Sequence, residues 1–302
     1  MSSLICGKDA ASIRSSPGLP ANSCSKTSRV GRDGLLELSF RTSSGRTILD
    51  RRRFAHPLQA FEPFRAPDGS LCLLMLNISG GMVGGDRLIT MIELGADAHA
   101  VLTTASAAKA YRTLGPAAVQ QTRITLGAGA VLEYLPDHLI PHAGAAVNQT
   151  IQLEMGPRSR AIIYDAIAAG RVGRGERWQF RNVTSDIAIT GDGRPIYRNR
   201  ASITPASQPL DELGWMEEAN YLATLIVLAD DVRGWSSLVN SLHSALQGVE
   251  GLQGGASALA RGGCVSRYIS TTADCLNRTT LKLWAIIRPE LICREAFPLR
   301  KL

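Results

Sequence analysis

The sequence predicts a mainly β body, largely antiparallel in its pairing, with two α-helices at the C-terminal end packed on it. Three observations predict it. Strand-sized apolar runs recur every ten to fifteen residues or so, with turn signals between them, from about residue 34 to about 229. No stretch between those runs is long enough, or periodic enough, to be a helical crossover. After Trp235 the apolar period changes from two to that of a helix.

Residues 1–33 are serine-rich, with five basic residues and two acidic ones (Asp9, Asp33). They offer little apolar surface to offset ordering entropy, and read as a disordered tail. A transit peptide has a similar composition, but no amphipathic helical pattern accompanies it. Order is expected from Gly34, giving a single domain over residues 34–302. Leu36, Leu38 and Phe40 alternate with Glu37, Ser39 and Arg41 as in a half-buried strand, and Ser43-Ser44-Gly45 turns the chain. Arg51-Arg52-Arg53 suits a solvated edge strand, where charge blocks edge-to-edge pairing.

Leu71–Ile78, Leu88–Leu94 and His99–Ala105 read as three strands. The first two flank Gly80-Gly81-Met82-Val83-Gly84-Gly85-Asp86, where glycine permits positive φ or a close approach by other chain or ligand. Asp86 is placed to bond local amides. A phosphate loop requires Lys-Ser/Thr and a helix directly after its last glycine. Here Asp-Arg-Leu and a strand follow, so a tight connection between strands is the better reading. Thr103-Thr104 and Ala107-Ala108-Lys109-Ala110-Tyr111-Arg112 complete this central stretch.

Further strands are expected over Thr122–Leu126, Ala130–Leu135, Ile151–Met155 and Arg160–Ile167, and around Trp178/Phe180, Ile187/Ile189 and Tyr221–Leu228. Asp192-Gly193 signals a hairpin. Trp235, Leu238, Val239, Leu242 and Leu246 form one face of a helix that Gly248 stops. Gly248–Gly255 reads as a flexible link. A second helix carries Leu276, Thr280, Leu283 and Ile287, capped by Asp274 and ended by Arg288-Pro289.

The chain has 302 residues, 45% hydrophobic and 20% charged, an ordinary globular balance. No apolar run approaches the roughly 18 residues of a membrane helix. Aromatics at 5% are too sparse for stacking on nucleic acid, and the net charge of +7 is spread among both signs. The six cysteines form no Cys-x-x-Cys and read as reduced thiols of a cytoplasmic protein.

Two polar clusters could carry chemistry. Glu133, Asp137, His138 and His142 lie within ten residues, but Pro141 prevents a helix from presenting both imidazoles to zinc. Carboxylate and imidazole suit transient binding of a borderline metal such as nickel. The bland reading is a proline-rich connection with polar side chains. The second cluster, Asp165 followed by Arg171-Val172-Gly173-Arg174-Gly175-Glu176-Arg177-Trp178, is a cationic loop whose bland reading is a surface ion-pair network. No nucleophile-elbow motif or triad pattern appears. Glu133 and Asp137 could serve a carbohydrate-active hydrolase, although few aromatics remain to line a sugar cleft. A β-rich interaction module with no metal role is the third reading.

The pair GGMVGGDRL and TTASAAKAYR, about twenty residues apart, resembles the UreD (UreH) family of urease accessory proteins. EYLPDHLIPHAGA, GRVGRGERW and LWAIIRPELI resemble further family segments in the same order. His138 and His142 depart from the family pattern, as do the serine-rich N-terminal extension and the final AFPLRKL. The resemblance implies a non-enzymatic maturation factor with a β-helix-like or sandwich-like body and two helices. It implies binding to apo-urease and to UreF, which holds the GTPase UreG, and help in inserting nickel into urease. No tightly bound cofactor is implied, and a homodimer within the complex is compatible with it. Nickel would travel through a polar internal passage. The positions matching it here are Glu133, Asp137 and Glu176, with Lys109 and Arg112 from the central motif; His138 and His142 are either added metal ligands or tolerated substitutions. Gly80, Gly81, Gly85, Asp86, Thr103, Thr104, Lys109, Tyr111, Arg112, Arg171 and Gly175 are the remaining motif residues.

Overall fold

The computed structural model describes residues 33–230 and 234–299. The tail expected over 1–33 lies outside them apart from Asp33, which opens the first strand.

The strands in chain order are β1 (Asp33–Ser43), β2 (Arg46–Ala55), β3 (Leu58–Ala60), β4 (Phe64–Arg65), β5 (Leu71–Asn77), β6 (Arg87–Leu94), β7 (His99–Thr104), β8 (Ala108–Ala110) and β9 (Ala118–Leu126). They continue as β10 (Val131–Leu135), β11 (Leu139–Pro141), β12 (Ala146–Met155), β13 (Arg160–Ala168), β14 (Asn182–Gly191), β15 (Arg194–Ile203) and β16 (Tyr221–Ala229). Helix α1 (Ser236–Leu246) is followed by β17 (Leu252–Ala258), β18 (Gly263–Ser270) and helix α2 (Ala273–Ile292).

Two sheets face one another. One has seven strands in the order β15-β14-β12-β9-β6-β1-β2. The other runs β17-β18-β16-β13-β10-β7-β5-β3, with β4, β8 and β11 beside it. From β5 to β14 the chain passes from one sheet to the other, so the body winds as a flattened solenoid. This corrects the expected pairing. The β1–β6–β9–β12–β14 and β5–β7–β10–β13 neighbours are parallel. Antiparallel ladders lie toward the ends, at β1–β2, β14–β15 and β13–β16–β18–β17. Parallel neighbours usually need a helix to carry the chain back. Here a strand of the opposite sheet does so, and the absence of crossover helices therefore did not imply antiparallel pairing.

The layers explain the sequence pattern. Leu36, Leu38, Phe40, Ile124, Ile151 and Ile187 of the seven-stranded sheet pack between the sheets against Leu73, Leu102, Leu132, Ile163 and Ile226. Their alternate neighbours face outward, hence the period of two. The second sheet is covered on both faces, so Leu71–Met75 is buried without a break. Its far side packs Cys72, Val101, Ile162 and Leu225 against Leu238 and Leu242 of α1 and Leu276, Leu283 and Ile287 of α2. Burial pushes the Cys72 thiol up to about 12, as befits a core cysteine. Arg51–Arg53 lie on the edge strand β2, as expected, with Arg53 paired to Glu37.

The C-terminal expectations need three corrections. Gly248–Gly255 is no simple link, because Leu252 begins β17, which pairs with β18. The cap of α2 is Thr272, whose hydroxyl accepts from the Cys275 amide at 3.1 Å, while Asp274 sits in the first turn. The helix continues through Pro289 and ends at Cys293, in the left-handed region at φ 54°. The interior anchorage of Arg288, described below, holds this last turn in place.

Candidate functional site

Because β5, β7, β10 and β13 run parallel, the segments that leave them emerge at one end of the solenoid. Those segments are the glycine turn 80–86 and the stretches 105–116, 136–145 and 170–181. They bind one another directly. The Met82 amide donates to the Lys109 carbonyl at 2.7 Å, and the Tyr111 amide to the Met82 carbonyl at 2.8 Å. Tyr111 Oη donates to the Gly80 carbonyl at 3.1 Å. The His142 amide donates to Ala110 at 2.8 Å, and Ala108 to His138 at 3.1 Å. The Gly144 amide reaches Gln179 at 2.8 Å.

The glycines are needed for different reasons. Gly80 and Gly85 have φ of 77° and 84°, in the left-handed region. A Cβ on Gly81 would lie 2.7 Å from Tyr111 Cε2 and 2.8 Å from the Lys109 carbonyl oxygen. Asp86 is buried, and its Oδ2 accepts the Val83 amide at 2.8 Å, closing the turn. Gly81→Ala is expected to destabilise the fold by about 1–3 kcal/mol through overpacking. Gly115→Ala, where a Cβ meets nothing within 4 Å, should change stability by less than about 0.5 kcal/mol. Chemical denaturation of the two variants checks this.

The other motif residues brace the same end. Thr103 Oγ1 donates to the Leu135 carbonyl at 2.6 Å. Thr104 Oγ1 accepts the Asp137 amide at 2.8 Å and donates to Asp137 Oδ2 at 3.2 Å. Lys109 is exposed, and the Arg112 side chain lies over Gly144. His138 is buried edge-on to Tyr221, and His142 stands edge-on to Tyr111 with ring centroids 4.8 Å apart. Burial, together with Arg171 and Lys109, lowers the His142 pKa, against the pull of Glu176. Arg171 pairs with Glu176, which also accepts the Ala143 amide at 3.3 Å. The Arg171 bond holds the Glu176 carboxyl down at about 2. Gly175, at φ 74°, closes the short 3₁₀ turn Val172–Arg174.

Glu133 lies elsewhere. It alternates with Leu132 and Tyr134, which face the opposite sheet, so it points at the helices. Its Oε1 contacts His99 Nε2 at 2.8 Å and accepts from Arg288 Nη2 at 3.1 Å. Its Oε2 accepts from Trp284 Nε1 at 2.6 Å and Arg288 Nε at 3.0 Å. Glu133 and Arg288 are both fully buried. Arg288 also reaches Asp68 at 2.7 Å and lies over the rings of Trp284 and Phe297. A sugar cannot reach this carboxylate, which removes the hydrolase reading's acid. Among the described residues, no three of His, Cys, Asp or Glu converge as a metal cluster. The five metal candidates are thus divided between the helix interface and the end loops.

Sequence reasoning missed the polar interior. A cavity of about 130 Å³ between the sheets is lined by Asn77, Thr90, Thr104, Lys109, Gln120 and Tyr134, beside apolar groups and the glycine turn. From Gln120 the polar positions continue along the solenoid axis. Gln120, Gln149 and Ser185 are register neighbours on β9, β12 and β14. Opposite them, Asp165 and Thr224 are neighbours on β13 and β16. Gln149 Nε2 donates to Asp165 Oδ1 at 2.7 Å, and Ser185 Oγ to Oδ2 at 2.8 Å, linking the sheets. Burial raises the Asp165 carboxyl above its ordinary range, although the Ser185 and Gln149 bonds oppose the shift. The signal was present in the period of two: Gln149 and Ser185 fall on the inward phase of Ile151 and Ile187.

Comparison with known proteins bears on the whole chain. The family model for the UreD urease accessory protein matches residues 32–301. A urease accessory protein UreD of Mycolicibacterium gilvum is 34% identical over 254 residues, covering 83% of this chain and 91% of its own length. Those of Herpetosiphon aurantiacus and Alkalilimnicola ehrlichii are 32% and 31% identical, covering 85% and 92% of this chain and 92% and 93% of their own lengths.

Proposed function

This chain belongs to the UreD urease accessory protein family, and from that premise we propose that it acts in urease maturation as a non-catalytic scaffold, carrying nickel between the UreF–UreG pair and apo-urease. The observation that carries the reading is the line of inward polar groups between the sheets, from the cavity beneath the motif loops to Asp165. Its oxygen donors (Asp165, Gln149, Gln120 and the Thr and Ser hydroxyls) suit a divalent ion that must be held briefly and released. A closed shell of imidazole or thiolate would trap it.

The end loops supply the mouth. Asp137, Glu176, His138 and His142 stand among them, with Lys109 and Arg112 at the rim. Glu133 has a different part, bracing the helix layer. Among the described residues no helix is long and apolar enough to cross a membrane, and we place the chain in the cytoplasm with its partners, needing no cofactor of its own.

Co-expression with a urease operon lacking its own UreD tests this. Restored urease activity with nickel bound to urease is the expected result. A soluble chain that neither restores activity nor is captured by UreF would overturn the reading and favour an unrelated interaction module.

A further inference from the structure

The connection from β15 to β16, residues 204–220, holds two large apolar groups out in solvent. Leu213 is 90% exposed and Trp215 48%. The backbone that carries them is tied down. Leu210 and Met216 are buried beneath the apex, and the Met216 amide donates to the Leu210 carbonyl at 3.0 Å. The Gly214 amide donates to Glu217 Oε1 at 3.0 Å. Arg177, from the neighbouring motif loop, bonds Asp211, the carbonyls of Glu217 and Ala219, and Asn220 Oδ1. A partner that takes up an apex fixed in this way loses little entropy in ordering it. Tryptophan is among the side chains that most often anchor protein interfaces. Tyr221 opens β16 opposite Ala168 at the end of β13, so the apex stands at the same end of the solenoid as the motif loops.

Beside the apex a groove runs along the helix layer. Two adjoining hollows, of about 320 and 840 Å³, share Glu218 and Thr271, and the larger is also lined by Glu250, Arg278 and Lys282. Carboxylates prevail here. Glu212, Glu218 and Glu250 are exposed and, among the described residues, make no ion pair. Arg278 is paired with Asp274, and Lys282 donates to the Ala245 carbonyl at 3.3 Å. Leu281, 45% exposed, follows Arg278 by three positions and so lies on the same face of α2. The sequence carries the same bias. Residues 201–260 hold seven Asp and Glu against one Arg, in a chain of net charge +7, so the excess of cations lies elsewhere.

We propose that the Leu213–Trp215 apex and this groove form a docking surface for a cation-rich amphipathic helix of a protein partner. The apolar face of that helix seats on Leu213, Trp215 and Leu281, and its lysines or arginines meet Glu212, Glu218 and Glu250. The rest of this basic chain repels such a segment, so charge directs it to the groove. That the partner belongs to urease maturation rests on the function proposed above, whereas the surface itself does not.

The first test is binding, by fluorescence anisotropy, of a labelled helical peptide with leucines along one face and lysines on the other, against the same peptide with glutamates for lysines. The lysine peptide is expected to bind wild type at least tenfold more tightly, and to weaken as salt screens the pairs. Leu213→Ser with Trp215→Ser, and separately Glu218→Lys, should each weaken it about tenfold. Glu154→Lys makes the same charge change on an exposed position of β12 and should leave binding within twofold. All of these side chains lie in solvent, so the variants should melt with wild type. Equal binding of the two peptides, or unchanged binding by the Leu213→Ser/Trp215→Ser chain, overturns the proposal. The same variants are then offered to the UreF–UreG pair and to apo-urease, each alone. Capture of one of the two is expected to fall about tenfold, and that protein owns the helix. Capture of both as in wild type overturns the docking surface. If wild type captures neither while the lysine peptide binds as expected, the maturation reading fails and the docking surface stands.

Discussion

Glu133→Ala is expected to remove about 3–5 kcal/mol of folding stability, the usual cost of leaving one partner of a buried ion pair uncompensated. The alanine leaves Arg288, fully buried, with Asp68 as its remaining carboxylate partner. It also strips the Trp284 indole of its acceptor. Glu133→Gln keeps the volume and an oxygen for Trp284, and should fall between alanine and wild type. Glu133→Leu combined with Arg288→Met removes both charges and should recover much of the loss, because well-packed apolar pairs often match buried ion pairs. Equilibrium denaturation of the four chains decides the matter. An alanine variant within about 1 kcal/mol of wild type would refute the assignment of Glu133 as the brace of the helix layer.

Asp165→Asn should show the opposite combination, with stability kept and function lost. The Asp165 carboxyl is raised by burial. The folded chain therefore holds this proton at a pH where the unfolded chain has released it. The group contributes most to stability below the unfolded value, and stability falls as pH rises from there through the raised folded value. Asparagine stays neutral throughout, so the variant lacks this decline and is at least as stable as wild type near neutrality. Its amide can also donate to Gln149 Oε1, a buried acceptor without a partner among the described residues. The passage proposed above would meanwhile lose its interior carboxylate, and on that proposal nickel delivered to urease should drop by about tenfold, the scale on which metal affinity responds to loss of a supporting group. Denaturation from acid to neutral pH and nickel content of the product urease are the two measurements. Unchanged nickel delivery would remove Asp165 from the passage.

The two residues show how far the sequence could be read. Strand positions were legible because burial on one face imposes a period of two, as in Leu36, Leu38 and Phe40. The helices were legible for the corresponding reason, with Leu238, Leu242 and Leu246 buried on one side. Pairing direction was not, because a strand that crosses to the opposite sheet looks locally like a strand that turns back. β18 escaped notice because its identity comes from the ladder to β16, not from its own glycine, serines and arginine. At the candidate site, the segments 80–86 and 105–112 singled out in the sequence bind one another, and those contacts are the reason for Gly81. Glu133 was read with Asp137 because they are four apart in sequence. The pleat turns Glu133 toward α2, and the strand ends before Asp137. Asp165 was noticed only as the start of a cationic loop. Its partners Gln149 and Ser185 come from the other sheet, and sequence distance hides them.

The contact between Glu133 and Arg288 joins residues 155 positions apart, which has a consequence during synthesis. The chain is made from the N-terminus, and its coils can stack as they leave the ribosome. The outer face of the second sheet, with Val101, Ile162 and Leu225, stays uncovered until α1 and α2 follow. Glu133 waits without its guanidinium over the same interval. A nascent chain of this protein is therefore sticky until α2 has been made. Ribosome-bound intermediates stalled before residue 273 should engage holdase chaperones, and those released past residue 297 should not.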